Sequence, residues 1–297
     1  MDEQDRLAER FETRRTHLRA VAYRMLGSLS EADDAVQEAW LRLSRTDAGG
    51  IENLPAWLRT VVSRVCLDML RARAARREEP VGQQPPEQDR DERGTDDGGD
   101  PEQEALLVDS VGRALLVVLD RLAPAERIAF VLHDTFAVPF EQIAPIVERT
   151  PATTKKLASR ARQKVRGTAV DSTVDLARQR RMVDAFLAAA RLGDLDALLT
   201  VLAPDVVRRA GRAALPPGVE TTAIGARTVA EQTVVFGRRA CFAEPALVNG
   251  SVGAVVAPRG RLLLVLTFTT EGERITGYEV IADPARLRLL ELAVLGE

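Results

Sequence analysis

Lys155, Lys156, Arg160, Arg162, Lys164 and Arg166 fall within one short stretch that holds no acidic residue. Such a run suits neutralisation of nucleic-acid phosphates, which requires cations held at fixed spacing on a rigid element. The surrounding residues supply that element. Thr150 is placed to cap a helix whose first residue is Pro151, and Leu157, Ala158, Ala161 and Val165 form a narrow inner stripe. Two shorter helices are predicted before it. Pro124 opens the first, with Ile128, Val131 and Leu132 at helical spacing; Pro139 opens the second, with Phe140, Ile143, Ala144 and Val147 inward. A short helix, a tight turn and a basic helix with a small-residue inner face predict a helix-turn-helix reader of the DNA major groove. A merely solvated basic helix is the plainer alternative. The missing carboxylates and the two scaffold helices weigh against it.

The net charge of −3 over 297 residues conceals a segregation of charge. Residues 57–77 carry six basic groups and one acidic, whereas residues 87–104 carry nine acidic and two basic. Two basic stretches around an acidic one predict two nucleic-acid contacts with a spacer between them. The spacer, residues 80–105, is rich in Pro, Gly and acid and reads as a flexible linker. Before it, residues 5–26 predict an amphipathic helix ending at Gly27. Ser30 is placed to cap a second helix with Ala35, Val36, Ala39, Trp40 and Leu43 inward. Pro55 opens a third, basic toward its end. The acids in the first two turns of the second helix, Glu31, Asp33, Asp34 and Glu38, suit either the helix dipole or a basic partner surface, and composition does not choose.

After residue 170 the pattern changes. VDLARQRRMVDAFLAAARLG and DLDALLTVLAP predict helices, irregular sequence follows to about residue 225, and TVAEQTVVFGRRAC predicts another helix. The runs ALVNGSVGAVVA, RLLLVLTFTT and ERITGYEVIA then predict strands, with Asn249 and Gly250 as turn residues. Helices followed by an antiparallel sheet predict an α+β domain. Cys66 and Cys241 lie far apart in apolar runs without metal spacing and read as buried thiols of a reducing compartment. The charged amino-terminal segment and the lack of a long apolar run point to the cytoplasm.

The segments AYRMLGSLSEADDAVQEAWLRL (22–43) and LPAWLRTVVSRVCLDMLRARAARRE (54–78) resemble region 2 of the extracytoplasmic-function (ECF) RNA polymerase sigma factors. Residues 114–166 resemble region 4, and the tail after residue 170 resembles the cone-shaped SnoaL-like fold, a combination typical of the SigJ-like subgroup. The resemblance implies a multidomain chain: all-α region 2 over residues 1–79, the linker over 80–105, all-α helix-turn-helix region 4 over 106–168, and an α+β SnoaL-like domain over 172–297. It implies that Asp33, Asp34, Gln37 and Glu38 dock on the β′ clamp helices of core RNA polymerase. Asn53 and Trp57 would capture an unstacked minus-ten base, with Arg59, Arg64, Arg71, Arg73, Arg76 and Arg77 along the strand's phosphates. In the last helix of region 4, Thr153, Thr154 and Lys156 would face the floor of the minus-thirty-five groove, and Lys155, Arg160 and Arg162 its phosphates. The chain departs from the subgroup at residues 83–87, at 211–215 and at 283–287.

Three functions follow from this reading. The first is a sigma factor with no catalytic residue, metal or cofactor, its activity modulated by the fused domain. The second is an enzyme or ligand sensor built on the SnoaL-like cavity, which leaves room for a small ligand. Its catalysis would want a histidine or a tuned carboxylate there. His17 and His133 both precede that domain, leaving Glu244, Glu279 and Asp283 as lone acids. The third is a DNA-binding regulator independent of polymerase, against which a second basic helical domain argues.

Overall fold

A computed structural model describes residues 3–46, 50–78, 111–170, 172–216 and 218–296. The predicted linker lies outside the described residues. The chain divides into two compact units, one of residues 1–111 and 119–162, the other of 112–118 and 163–297.

In the first unit, α1 (Glu3–Leu26), α2 (Leu29–Leu43) and α3 (Leu54–Glu78) pack on one another. Phe11, Leu18, Val21 and Met25 of α1 meet Ala32, Ala35, Val36 and Ala39 of α2 and Leu58, Val62 and Cys66 of α3, all buried. Gly27 takes the left-handed φ of +76° that ends α1, as its position predicts. Ser28, rather than Ser30, caps α2, its Oγ accepting from the Glu31 N–H. The helix starts earlier because Leu29 already faces the core, 6% exposed. Burial raises the Cys66 thiol above its ordinary range, consistent with a packing role.

After α4 (Arg113–Leu119), α5 (Pro124–Phe130) runs into a wider π-helical turn, Val131–Thr135. The helix-turn-helix follows as α6 (Phe140–Val147) and α7 (Pro151–Arg166). The turn is three residues long, with Glu148 in the left-handed region at φ 56°. Thr150 Oγ1 accepts the Thr153 N–H at 3.2 Å, the predicted cap.

The second unit holds α8 (Thr173–Leu192), α9 (Leu195–Val201) and α10 (Ala226–Phe236) with β1 (Leu202–Ala210), β2 (Thr222–Ile224), β3 (Ala243–Val248), β4 (Ser251–Val256), β5 (Leu264–Glu271), β6 (Arg274–Ile281), α11 (Pro284–Leu289) and β7 (Leu292–Ala293). The sheet order is β2-β1-β6-β5-β4-β3-β7. Asn249 and Gly250 turn the β3–β4 hairpin, as their types predict. The expected antiparallel sheet is in fact mixed, because β1 runs parallel to β6. The segment read as the end of a helix and irregular chain forms β1, whose alternate residues Val206, Arg208 and Ala210 face inward. Met182, Val183, Phe186 and Leu187 of α8 pack against Val252, Ala254 and Val256 of β4 and Leu264 and Leu266 of β5 in one core. Cys241 is exposed on the turn after α10, contrary to the expected burial, because that turn lies outside the core face of α10. The arginine-rich terminal run forms α11, with Leu287 buried against the domain itself and Leu289 83% exposed.

Candidate functional site

The outer face of α7 presents Lys155, Lys156, Arg160, Lys164 and Arg166 exposed, with Thr153 partly so at the amino-terminal end. Arg162 sits between them, its guanidinium on Asp134 at 2.7 Å. Thr154 departs from its expected place. Its side chain is fully buried and its hydroxyl donates back to the Thr150 carbonyl at 2.9 Å. It occupies the inner stripe with Ala158, Ala161 and Val165, one turn ahead of Ala158. A threonine four residues before a small buried residue was the signal for this placement. Of the three residues expected at the groove floor, Thr153 is partly exposed and Lys156 exposed.

The second basic element, α3, carries Asn53 at its start, where Oδ1 accepts the Ala56 N–H at 3.0 Å as a cap. Trp57 is half-buried one turn on. Three of the arginines expected along a DNA strand are engaged by residues of the helix-turn-helix, and a fourth, Arg73, by acids elsewhere. Arg59 donates to Gln142 Oε1 at 2.8 Å, Arg64 to the Pro145 carbonyl at 3.2 Å, and Arg71 to Glu148 at 3.1 Å. Arg73 pairs with Glu31 and, at 3.5 Å, with Asp120. Arg76 is exposed, and the side chain of Arg77 lies outside the described residues.

Asp120 also holds Arg127 at 3.3 Å. Arg127 is 2% exposed, and burial pulls its guanidinium down to about 10, with Asp120 acting in the opposite sense. It stays charged at neutral pH. Glu31, Arg73, Asp120 and Arg127 therefore form an ionic chain joining α2 and α3 to the start of the region 4 helices.

On α2, Asp34 and Gln37 are exposed and Asp33 and Glu38 half-exposed, so all four share the outward side. Asp33 meets Arg19 at 3.8 Å and Glu38 meets Arg42 at 2.9 Å. Both pairs are open to solvent and contribute little to stability.

In the second unit a cavity of about 490 Å³ lies on the inner side of the sheet, lined by Phe186, Arg208, Gln232, Thr233, Leu266 and Tyr278 among others. The three acids considered for catalysis point elsewhere. Glu244 accepts the Arg113 N–H, Glu279 pairs with Arg286 at 2.7 Å, and Asp283 caps α11 by accepting the Arg286 N–H. Thr233 donates its proton to the Val229 carbonyl, so the Tyr278 hydroxyl, 2.9 Å away, must donate to Thr233. Burial also raises the Tyr278 phenol. The cavity offers neither a basic carboxylate nor an ionised phenol at neutral pH among its described lining residues.

Two helical segments, one with an acidic outward helix and a basic helix and the other with a basic helix-turn-helix, have the make-up of a promoter-reading polymerase subunit. Residues 11–76 match the Sigma-70 region 2 family and residues 112–165 the Sigma-70 region 4 family. The Mycobacterium tuberculosis protein named "Probable ECF RNA polymerase sigma factor SigI" is 35% identical over 97% of both chains. The ECF RNA polymerase sigma factor SigJ of the same organism is 38% identical over 83% of this chain and 80% of its own. The crystal structure of M. tuberculosis SigJ is 33% identical, covers 95% of this chain and 98% of its own, and superposes with a TM-score of 0.44. This chain belongs to the ECF RNA polymerase sigma factors, which direct core polymerase to promoters for transcription initiation. No described helix is long and apolar enough to cross a membrane.

Proposed function

We propose that the outward residues Asp33, Asp34, Gln37 and Glu38 bind the β′ clamp helices, that α3 tracks and melts the minus-ten strand, and that α7 reads the minus-thirty-five duplex. The fused domain modulates these steps without catalysis of its own. The observation that carries this reading is the outward basic face of α7, built on a capped helix-turn-helix and lacking carboxylates of its own.

The two promoter elements lie about 25 base pairs apart, roughly 85 Å at the duplex repeat of 34–36 Å per turn. A compact unit of about 150 residues has a radius of gyration of only about 15 Å. The packed first unit therefore represents a closed form, and α3 and α7 separate when both elements are engaged. In the closed form Gln142, Pro145 and Glu148 occupy the hydrogen-bond donors that α3 would offer to phosphates. The fused domain acts by shifting the balance between the closed and open forms.

Run-off transcription from a template bearing the cognate promoter tests the main reading. Core polymerase with the full chain yields a discrete transcript and core alone does not; equal output from both rejects it.

Arg160→Ala should lower duplex affinity for all sequences alike and reduce the salt slope by about one. Arg162→Ala should do so less, because Asp134 already holds that side chain. Lys156→Ala should instead cost about 1–3 kcal/mol at one base position, whereas Thr154→Ala leaves base preference unchanged. Fluorescence anisotropy on duplexes differing at single positions, at several salt concentrations, separates these effects. A loss of base preference in Thr154→Ala would contradict the orientation of α7.

A further inference from the structure

Arg208 lies in the middle of β1, beside Tyr278 of the parallel strand β6, on the inner face of the sheet. Its side chain is 3% exposed. One terminal nitrogen, Nη2, donates to Gln232 Oε1 at 2.5 Å and to the Glu220 carbonyl at 3.2 Å. The other, Nη1, is buried and has no hydrogen-bond partner. No carboxylate pairs with this guanidinium among the described residues. Arginine keeps its charge in proteins, and a buried charge without a counter-ion is strongly unfavourable. The uncompensated group lines a cavity of about 490 Å³, a size typical of small-molecule sites.

The remaining walls narrow the chemistry of an occupant. Phe186, Leu187, Val256, Leu264, Leu266 and Val280 are apolar. The Tyr278 proton is committed to Thr233, and Gln232 Oε1 is committed to Arg208. Arg208 is thus the one charged side chain among the described residues lining the cavity, and it carries one positive charge. A phosphate dianion would leave a charge unmatched in an apolar chamber, and a cation would be repelled. A single carboxylate on a hydrophobic body balances the charge and fills the apolar wall.

We propose that the cavity of the C-terminal domain is a binding site for a hydrophobic monocarboxylate, its carboxylate paired with the Arg208 guanidinium. This extends the reading that the domain modulates the sigma factor, but the binding claim does not depend on transcription. Ligand binding stabilises the domain by compensating the Arg208 charge. Ala213, Ala214 and Leu215 border the same cavity.

The test uses the full chain and three probes: decanoate, decylammonium of the same chain length, and butyrate, which has the carboxylate without the apolar body. Isothermal titration calorimetry below the micellar range should show decanoate binding at least about tenfold tighter than either other probe, the worth of one charge-assisted hydrogen bond or of the buried chain. Arg208→Gln and Arg208→Met should each lose about tenfold or more for decanoate, with melting temperature and circular dichroism showing that the domain is folded. Should both variants fail to fold, a crystal structure of the wild-type chain soaked with decanoate decides, the carboxylate standing on Arg208 or not. Equal binding of decanoate and decylammonium, unchanged binding in a folded Arg208 variant, or no decanoate binding overturns the proposal. Run-off transcription with and without decanoate is read separately. Arg208-dependent binding with unchanged transcript keeps the ligand site and rejects modulation through it.

Discussion

Replacing Asp33, Asp34 and Glu38 together with lysine is expected to abolish capture of core polymerase while leaving the fold in place. The three side chains lie on the outward side of α2 and bury little. Their partners are Arg19 at 3.8 Å, about a quarter exposed, and Arg42 at 2.9 Å, nearly half exposed. Exposed pairs contribute about 0–1 kcal/mol each, and lysines near a helix start cost about 0.3–1 kcal/mol each. The melting temperature should therefore fall by only several degrees. At an interface the same reversal places like charges against a basic surface, which costs several kcal/mol and slows association. Pull-down of core polymerase at physiological salt, with circular dichroism of the free variant, checks both halves. A folded triple variant that still forms holoenzyme would show that α2 does not carry the contact.

The second large effect is expected at Asp120. Removing its carboxylate by Asp120→Ala takes from Arg127, 2% exposed, the acid that holds it at 3.3 Å, and takes one acid from Arg73. Breaking a buried pair from one side costs about 3–5 kcal/mol. Asp120 itself is 41% exposed, so water recovers part of that, and about 2–3 kcal/mol is expected. The loss should appear as a lower unfolding midpoint in denaturant. It should fall mainly on the closed form, because the ionic chain from Glu31 through Arg73 and Asp120 to Arg127 joins α2 and α3 to the region 4 helices. The variant should then bind a minus-ten single strand more tightly than the parent, as Arg59, Arg64 and Arg71 are released from Gln142, Pro145 and Glu148. Arg127→Leu is the contrasting change. A hydrophobe of similar volume needs no partner, so it should cost less than Asp120→Ala. Parent-like stability and strand affinity in Asp120→Ala would remove the ionic chain as the fastener of the closed form.

The helical half of the molecule was legible because its signals are local. Pro124, Thr150 and Pro151 mark helix starts by backbone chemistry, and Gly27 marks an end. The apolar spacing of α2 and α3 then fixes which faces are buried. The errors arose where a side chain's surroundings, rather than its spacing, decide its place. Ser28 outcompeted Ser30 as a cap because Leu29 was wanted in the core. Thr154 turned inward because its hydroxyl finds the Thr150 carbonyl within its own helix and its methyl group suits the small-residue stripe. Cys241 sits in an apolar run yet faces out, since a short turn has no periodicity to read.

By itself the sequence determined a chain with a basic helix-turn-helix, a second basic helix behind an acidic one, and a terminal α+β domain. Those properties follow from periodicity, capping residues and charge, all of which act over a few residues. Tertiary structure alone decided that β1 is a strand. An arginine at an inward position breaks the alternation by which a strand is recognised, and only the folded domain brings it the Gln232 side chain and the Glu220 carbonyl as partners. Tertiary structure also decided that Arg59, Arg64 and Arg71 of α3 are held by the helix-turn-helix. Those contacts join residues 77 to 83 positions apart, and no pattern within either helix records a partner at that distance.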